Sequence, residues 1–182
     1  AGPGYGGSCF PKDTKALATI AREHGEHLTL IETTIQANER QKLRMVDKIC
    51  AAMGDLSGKV IGVLGLTFKP NTDDMREAPS LVILPELVKR GAVIRAFDPE
   101  GAKEGGWRFE DIEQHMTFCD DEYCVSQEAD AVVLLTEWNQ FRSLDFDRLK
   151  AGMKDNYFFD LRNVYEKCML EKHGFRYYAV GR

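Results

Sequence analysis

The spacing of hydrophobic and polar residues changes near residue 58 of this 182-residue chain. Before that point, apolar side chains recur every three or four residues, as Leu17 and Ile20 do, which is the pattern of an amphipathic helix. The pattern predicts one helix over residues 13–24, a break at Gly25, and a second helix over residues 28–53. A helix of about 25 residues is roughly 40 Å long, so we expect it to be a connector or a contact between subunits.

After residue 58, short apolar runs alternate with stretches of helical character. Because the runs lack polar alternation, they are typical of strands that are buried on both faces of a parallel sheet. The sequence therefore predicts an α/β fold, with a helical connector in residues 1–54 and a doubly wound, mostly parallel, Rossmann-like sheet in residues 55–182. The predicted strands are residues 59–65, 92–97, 131–135, 157–160 and 175–180, and the predicted helices are residues 79–89 and 120–127.

Two cations follow strands of this predicted sheet. Lys69 comes shortly after the first strand, and Arg162 comes after the fourth. Ligands bind beyond the carboxyl ends of the strands in doubly wound sheets, so we expect both side chains at one rim. Their pairing favours a diphosphate site as much as it favours two ordinary surface charges.

Composition and charge narrow the range of functions. The chain carries 24 basic and 29 acidic residues, a net charge of −5, and no block of Lys or Arg. We therefore expect no binding to nucleic acid or to a membrane surface through bulk charge. The five cysteines form no CxxC pair, which argues against a disulfide framework and a metal site and favours a reducing, cytoplasmic location.

The first candidate for chemistry is a glycine-rich loop that ends at Cys9. Glycines let a backbone approach a ligand closely. Pro11 suits the first turn of a helix, which places Cys9 at a helix N-terminus, where a thiolate is favoured. Asp13 and Lys12 lie in the same turn and supply an acid–base pair beside the sulfur. Each feature alone has an ordinary structural explanation, but the combination is typical of a nucleophilic cysteine.

A polar run occupies residues 36–41, inside the second predicted helix. We expect these side chains to be solvated or to face another subunit.

Two long motifs resemble those of one enzyme family. The segment GPGYGGSCFPKD at residues 2–13 is similar to the catalytic-cysteine motif of the UDP-glucose and GDP-mannose dehydrogenases. The segment GLTFKPNTDDMREAPS at residues 65–80 resembles the family's nucleotide-sugar-binding segment. Weaker matches are FDP at residues 97–99, TEW at 136–138 and DLRN at 160–163. The resemblance covers nearly the whole chain.

This resemblance implies a four-electron oxidation of a sugar C6 alcohol to a carboxylate, with two NAD and two hydride transfers. It implies that Cys9 is the nucleophile, through a thiohemiacetal and then a thioester, and that Asp13 and Lys12 are its catalytic neighbours. By the same resemblance, the sugar pocket would be lined by Gly6, Gly7 and Phe10, and the UDP part would be held by Phe68, Lys69 and Arg162. Arg76 would reach the NAD diphosphate.

The family also has an N-terminal NAD-binding domain with a GxGxxG loop, and residues 62–65 are not that fingerprint. We therefore expect the chain to correspond to the C-terminal half of such an enzyme, to be inactive alone, and to form a homodimer through the long helix. Residues 67–74 look more like the UDP-glucose branch, whose UDP-glucuronate feeds polysaccharide synthesis. The alternatives are the GDP-mannose branch and a nucleotide-sugar-binding module without chemistry.

Overall fold

The computed structural model describes residues 2–181, and it begins with the two helices expected from the sequence. Helix α1 is Phe10–Glu23 and helix α2 is Thr29–Met53. Pro11 lies in the first turn of α1, where its missing N–H costs no hydrogen bond. Gly54 ends α2 with a φ of 75°, a conformation that other residues rarely adopt. The helices contact each other, so the connector is a helical pair.

The strands that the structure describes form one sheet in the order β3-β2-β1-β4-β5-β6, with every neighbouring pair parallel. The order reverses between β1 and β4, and the carboxyl ends of these two strands mark the place where doubly wound sheets bind ligands. The predicted α/β, doubly wound fold is therefore confirmed. The strands are β1 Val60–Leu64, β2 Val93–Phe97, β3 Met116–Phe118, β4 Ala131–Leu134, β5 Tyr157–Asp160 and β6 Arg176–Ala179.

Shorter α-helices lie between the strands: α3 Ser80–Lys89, α4 Ala102–Arg108, α5 Phe146–Ala151 and α6 Lys167–Lys172. Helix α5 is capped by Asp145, whose carboxylate accepts the N–H groups of Asp147 and Arg148 at 3.1 and 3.0 Å. These are two of the N–H groups that a helix start leaves without a partner inside the helix, so the cap stabilises α5.

The core has two layers, because side chains alternate across the sheet. Ile61 and Val63 of β1 pack on one face, and Leu64 packs on the other. The first layer includes four side chains from the C-terminal half of α2, namely Met45, Val46, Ile49 and Met53. Helix α2 is thus fixed to the sheet at one end, and its N-terminal half extends toward the glycine-rich loop.

One local prediction was wrong, and one strand was missed. The short edge strand β3 was not expected, since its three residues are too few to show a clear pattern. Residues 120–127 were expected to form a helix, but only Cys124–Ser126 form a single 3₁₀ turn. Asp121 explains the difference, because its carboxylate accepts the N–H groups of Tyr123 and Cys124 at 2.8 and 2.7 Å and so closes a local turn.

Across residues 2–181, no helix combines the length and the apolar character that a bilayer crossing requires.

Candidate active site

Cys9 lies immediately before α1, as the sequence predicted. Its side chain is exposed, and its sulfur is 3.7 Å from the hydroxyl oxygen of Ser8. The carbonyl of Cys9 accepts the N–H of Asp13 at 2.8 Å, which closes the first turn of the helix. Asp13 pairs with Lys12 at 3.5 Å, and both side chains are well exposed. The thiol, the carboxylate and the ammonium group therefore lie within one helical turn and are open to solvent.

Gly7 joins the cysteine loop to the segment that follows β1. Its N–H donates to the carbonyl of Arg76 at 2.7 Å. Its φ is +94°, and a Cβ at this position would come within 2.8 Å of the Phe68 ring. Glycine is required here because the backbone adopts the left-handed conformation and passes directly against an aromatic ring.

The loop after β1 is held by Asp98, which follows β2 and is 3% exposed. One carboxylate oxygen accepts the N–H groups of Leu66 and Thr67 at 2.6 and 3.1 Å. The same oxygen accepts the Thr67 hydroxyl at 3.1 Å and the Trp138 indole N–H at 3.2 Å. The other oxygen accepts the backbone N–H groups of residues 100–101. The two weaker motifs FDP and TEW thus meet, and they fix the backbone that leads to Phe68.

Arg162 reaches the same loop from the end of β5. Its Nε donates to the carbonyl of Leu135, and its Nη2 donates to the carbonyl of Phe68, both at 2.9 Å. Lys69 and Arg162 are therefore brought to one rim of the sheet, as predicted. In this arrangement two of the N–H groups of Arg162 bind main-chain carbonyls, and contact with a ligand stays a prediction.

The side chain of Arg162 is mostly buried. Its side chain is 15% exposed, and this burial lowers the pKa of the guanidinium, while the charge of Glu137 opposes the shift. The Glu137 carboxylate lies 2.6 Å from Nε but forms no aligned hydrogen bond, because that N–H points at the carbonyl of Leu135. The ion pair offsets part of the cost of burying the charge.

These contacts leave an open cleft of about 390 Å³ beside Cys9. It is lined by residues 6–10 together with Phe68, Lys69, Thr72 and Asp74. Lys69 is exposed, and its ammonium nitrogen is 5.3 Å from the centre of the Phe68 ring. Six of the residues proposed from the sequence therefore line one cleft, namely Gly6, Gly7, Cys9, Phe10, Phe68 and Lys69.

A second open cleft of about 600 Å³ shares Gly7 and Ser8 with the first. Four cations and one carboxylate line it, and each of the four cations is paired with a carboxylate of the chain. The charged residues are Lys12, Lys15, Arg76, Arg108 and Glu77.

Arg76 is held toward this second cleft by Asp74. Its Nε and Nη2 donate to the two carboxylate oxygens at 2.9 and 2.7 Å. This two-bond contact keeps the pKa of Asp74 below its ordinary value and raises the pKa of Arg76. Asp74 also lines the first cleft, so the pair connects the two spaces.

The polar run in α2 has a different role from the one expected. Asn38 is 7% exposed and hydrogen-bonds both backbone polar groups of Tyr5, and Gln41 donates to the carbonyl of Gly2 at 2.9 Å. The prediction of a solvated or subunit-facing stretch is therefore wrong for Asn38, whereas Gln41 is partly exposed. The available signal was their spacing, since residues 38, 41 and 42 precede Met45 at three- and four-residue intervals and share its inward face.

Comparison with known proteins agrees with both motifs. Residues 62–167 match the sequence model of the UDP-glucose/GDP-mannose dehydrogenase family, UDP binding domain, and residues 1–40 match the family's central domain. Along its full length the chain is 50% identical to the UDP-glucose 6-dehydrogenase of Rhizobium meliloti, of which it covers 41%. The chain spans about two fifths of the length of the curated relatives it matches.

Solved structures show the same architecture. A UDP-glucose dehydrogenase from Pyrobaculum islandicum superimposes with a TM-score of 0.80 at 30% identity, over 98% of this chain and 38% of that one. A UDP-D-ManNAc dehydrogenase from Pyrococcus horikoshii gives a TM-score of 0.81 at 27% identity, over 100% of this chain and 40% of that one. Because the UDP-binding match alone covers more than half of the residues, the chain belongs to the UDP-glucose/GDP-mannose dehydrogenase family.

Proposed function

We propose that this chain is the nucleotide-sugar side of an NAD-dependent dehydrogenase that oxidises UDP-glucose to UDP-glucuronate. The observation that carries the proposal is the cleft in which Cys9 faces the same space as Phe68 and Lys69. A nucleophile, an aromatic ring and an exposed cation suit a sugar that is linked to a nucleotide diphosphate. The name of the relative at 50% identity favours the UDP-glucose branch.

In this proposal the loop after β1 holds the UDP part. Lys69 is an exposed cation beside the Phe68 ring, so it can move onto a phosphate without breaking a buried ion pair. Arg162 does not line the cleft beside Cys9, and its part in this proposal is to fix the carbonyl of Phe68. In this arrangement the sugar lies against Gly6, Gly7 and Phe10, which line the cleft.

The chemistry at C6 is assigned to Cys9. Its thiolate adds to the C6 aldehyde and gives a thiohemiacetal, which is oxidised to a thioester and then hydrolysed by water to the carboxylate. Asp13 and Lys12 lie in the same exposed turn, where they can hold a water and exchange protons with the reacting oxygen. The chain supplies the nucleophile and the proton-transfer groups for these steps.

The second cleft fits the diphosphate of NAD. Arg76, Lys12, Lys15 and Arg108 provide cations there, and the cleft adjoins Cys9 through Gly7 and Ser8. When it is bound, NAD supplies the hydride acceptor for each oxidation. Arg76 is already oriented by Asp74, which lowers the cost of ordering this long side chain on a ligand.

We further propose that residues 1–54 form the cysteine loop and a dimerisation helix, and that residues 55–182 bind the UDP-sugar. Leu30 and Leu43 of α2 support a homodimer, because both apolar side chains are exposed. The five cysteines are free thiols, which fits a reducing cytoplasm.

Calorimetric titration of the chain with UDP, GDP and NAD tests the nucleotide assignment. We expect UDP to bind, and Lys69→Ala to weaken it roughly tenfold, the loss of about 1.4 kcal/mol from one charged contact. Lys172→Ala removes an exposed lysine from α6 and is the matched control. A preference for GDP would move the assignment to the mannose branch, and UDP binding that Lys69→Ala leaves unchanged would remove Lys69 from the site.

A further inference from the structure

We propose that Asn38 of α2 is a positioning residue for the nucleophilic cysteine, acting through the backbone of Tyr5. The proposal depends on the proposed function only in taking Cys9 as the nucleophile. Asn38 lies in the helix that was expected to be a connector or a contact between subunits, and it belongs to neither motif that carries the family resemblance.

The contact between Asn38 and Tyr5 is reciprocal. The Asn38 carbonyl oxygen accepts the N–H of Tyr5 at 2.8 Å, and the Asn38 amide nitrogen donates to the carbonyl of Tyr5 at 3.1 Å. An Asn side chain can satisfy both backbone groups of one extended residue because it presents an acceptor and a donor side by side. Asn38 is 7% exposed, so few water molecules compete for these bonds.

The surface of α2 also fits the loop at Gly4. A Cβ on Gly4 would come within 2.9 Å of the Asn38 side-chain oxygen and 3.1 Å of Lys42 Cγ. Lys42 is itself buried, and its ammonium group pairs with Glu39 at 2.9 Å. Together with the bond from Gln41 to the carbonyl of Gly2, these contacts hold residues 2–5 flat against the helix.

The position of the loop is passed on to Cys9 by two routes. The Tyr5 ring packs edge-on against Phe10 with 4.7 Å between centroids, and Phe10 follows Cys9 directly. The loop is also fixed at Gly7, whose N–H donates to the carbonyl of Arg76. Tyr5, Gly7 and Phe10 are therefore each held in place, and Ser8 and Cys9 lie between the last two.

Helix α2 is a suitable platform, because its C-terminal half belongs to the core of the sheet domain. The same core carries β1 and therefore the loop with Phe68 and Lys69. Asn38 thus keeps the cysteine at a fixed distance from the groups that would hold the nucleotide. It does so indirectly, because its hydrogen bonds go to Tyr5 and not to Cys9, Phe68 or Lys69.

The test measures the alkylation of Cys9 by iodoacetamide in the whole 182-residue chain, with exposed Cys168 as the internal reference. We expect Asn38→Ala to lower the Cys9-to-Cys168 rate ratio roughly threefold to tenfold, because the released loop no longer holds the sulfur at the start of α1, where the helix N–H groups favour a negatively charged sulfur. Asn38→Asp keeps an acceptor for the Tyr5 N–H but turns a carboxylate oxygen toward the Tyr5 carbonyl, so we expect a fall at least as large. Gln36→Ala changes an exposed residue of the same helix and should leave the ratio unchanged.

A general loss of structure is distinguished by the free energy of unfolding and by Cys168, which reports the fold away from the loop. If Asn38→Ala does not fold, Gln41→Ala gives the same readout with only the bond to the carbonyl of Gly2 removed. A ratio that is unchanged or higher in the folded variants would overturn the positioning role. The readout involves no nucleotide, so it is separate from the titrations that test UDP binding.

Discussion

Gly7 and Phe68 form the contact between the cysteine loop and the loop that follows β1. The ring carbons of Phe68 lie 2.8 to 3.2 Å from where a Cβ of Gly7 would stand, which is closer than two such carbons can approach. The two segments are far apart in sequence, yet they line one cleft. Because residue 7 has no side chain, the loop that carries the thiol can lie directly against the loop that carries Phe68 and Lys69.

Gly7→Ala should separate these two loops. The φ of +94° alone costs an alanine about 1–2 kcal/mol, and the overlap with Phe68 adds to it. We expect a lower free energy of unfolding in urea and weaker UDP binding by calorimetry. Gly106→Ala is the matched control, because it adds a Cβ in open space within α4 and should leave stability equal or slightly higher. Equal behaviour of the two variants would contradict the packing described for Gly7.

Arg162→Lys should destabilise the chain although it keeps the charge. A lysine cannot donate to the carbonyls of Leu135 and Phe68 together, so at least one buried carbonyl loses its partner. We expect a loss of about 2–4 kcal/mol in the free energy of unfolding. Arg44→Lys, on the exposed surface of α2, should change it by less than about 0.5 kcal/mol.

The same two variants separate two roles for Arg162. If Arg162 only holds the loop, Arg162→Lys should lower the free energy of unfolding by more than it weakens UDP binding, because the folded variant keeps the same groups facing the nucleotide. If it also contacts the diphosphate, UDP affinity should fall by more than the stability does. A variant that is as stable as the parent would contradict the buried geometry.

Much of the fold could be predicted from the sequence because the strong patterns are local. The buried strands are continuous apolar runs, and α2 shows helical spacing over 25 residues, so both were placed within one or two residues. Strand β3 and the turn after it were not predicted correctly for the opposite reason. Its three residues carry little pattern, and the turn after it depends on the Asp121 carboxylate, which a helix start would use equally well.

The site was predictable where chemistry is visible in the residue type. Cys9 and Lys69 stand out in the sequence, and the fold brings them to one cleft. Asn38 does not stand out, because a polar residue in a helix is usually solvated. Its role appears only when the loop is folded back onto α2, which is a contact over 33 positions in the sequence.

The ion pair between Asp74 and Arg76 predicts a pH dependence of stability. The hydrogen-bonded Arg76 lowers the pKa of Asp74 in the folded chain below its ordinary value. The folded chain therefore binds this proton less readily than the unfolded chain, and the pair stabilises the fold at pH values above the ordinary pKa of Asp, about 4. The stabilisation by the ion pair begins to fall when the pH drops below about 4, and it is lost once the pH is below the pKa of Asp74 in the folded chain.

Asp74→Asn should remove this pH-dependent contribution. We expect the variant to have a lower melting temperature than the parent at pH 7, and the difference to shrink as the pH is lowered from 5 to 3. Asp120→Asn changes an exposed carboxylate and is the control. If the difference in melting temperature between Asp74→Asn and the parent stays constant from pH 5 to pH 3, as we expect for Asp120→Asn, the ion pair with Arg76 makes no pH-dependent contribution and the prediction is contradicted.

The five thiols should differ in their reaction with iodoacetamide at pH 8. Cys9 and Cys168 are exposed and should react in the folded chain. Burial, with a smaller contribution from neighbouring Cys124, raises the pKa of Cys119 to about 12, so only roughly one thiolate in ten thousand is present at pH 8. Cys119 should therefore react only when the chain unfolds, which makes it a reporter of the fold.

UDP-glucose should protect one of these thiols selectively. If the sugar lies in the cleft beside Cys9, saturating UDP-glucose should slow the alkylation of Cys9 at least about tenfold, because the ligand covers the sulfur. Cys168 lies in α6, outside the residues that line the cleft, and should react at the same rate with and without ligand. Protection by UDP alone, equal to that by UDP-glucose, would place the nucleotide rather than the sugar over the thiol and would contradict the assigned orientation. Slower alkylation of both cysteines would instead indicate a general change of the fold, and Cys119 would then show whether the chain had become more or less stable.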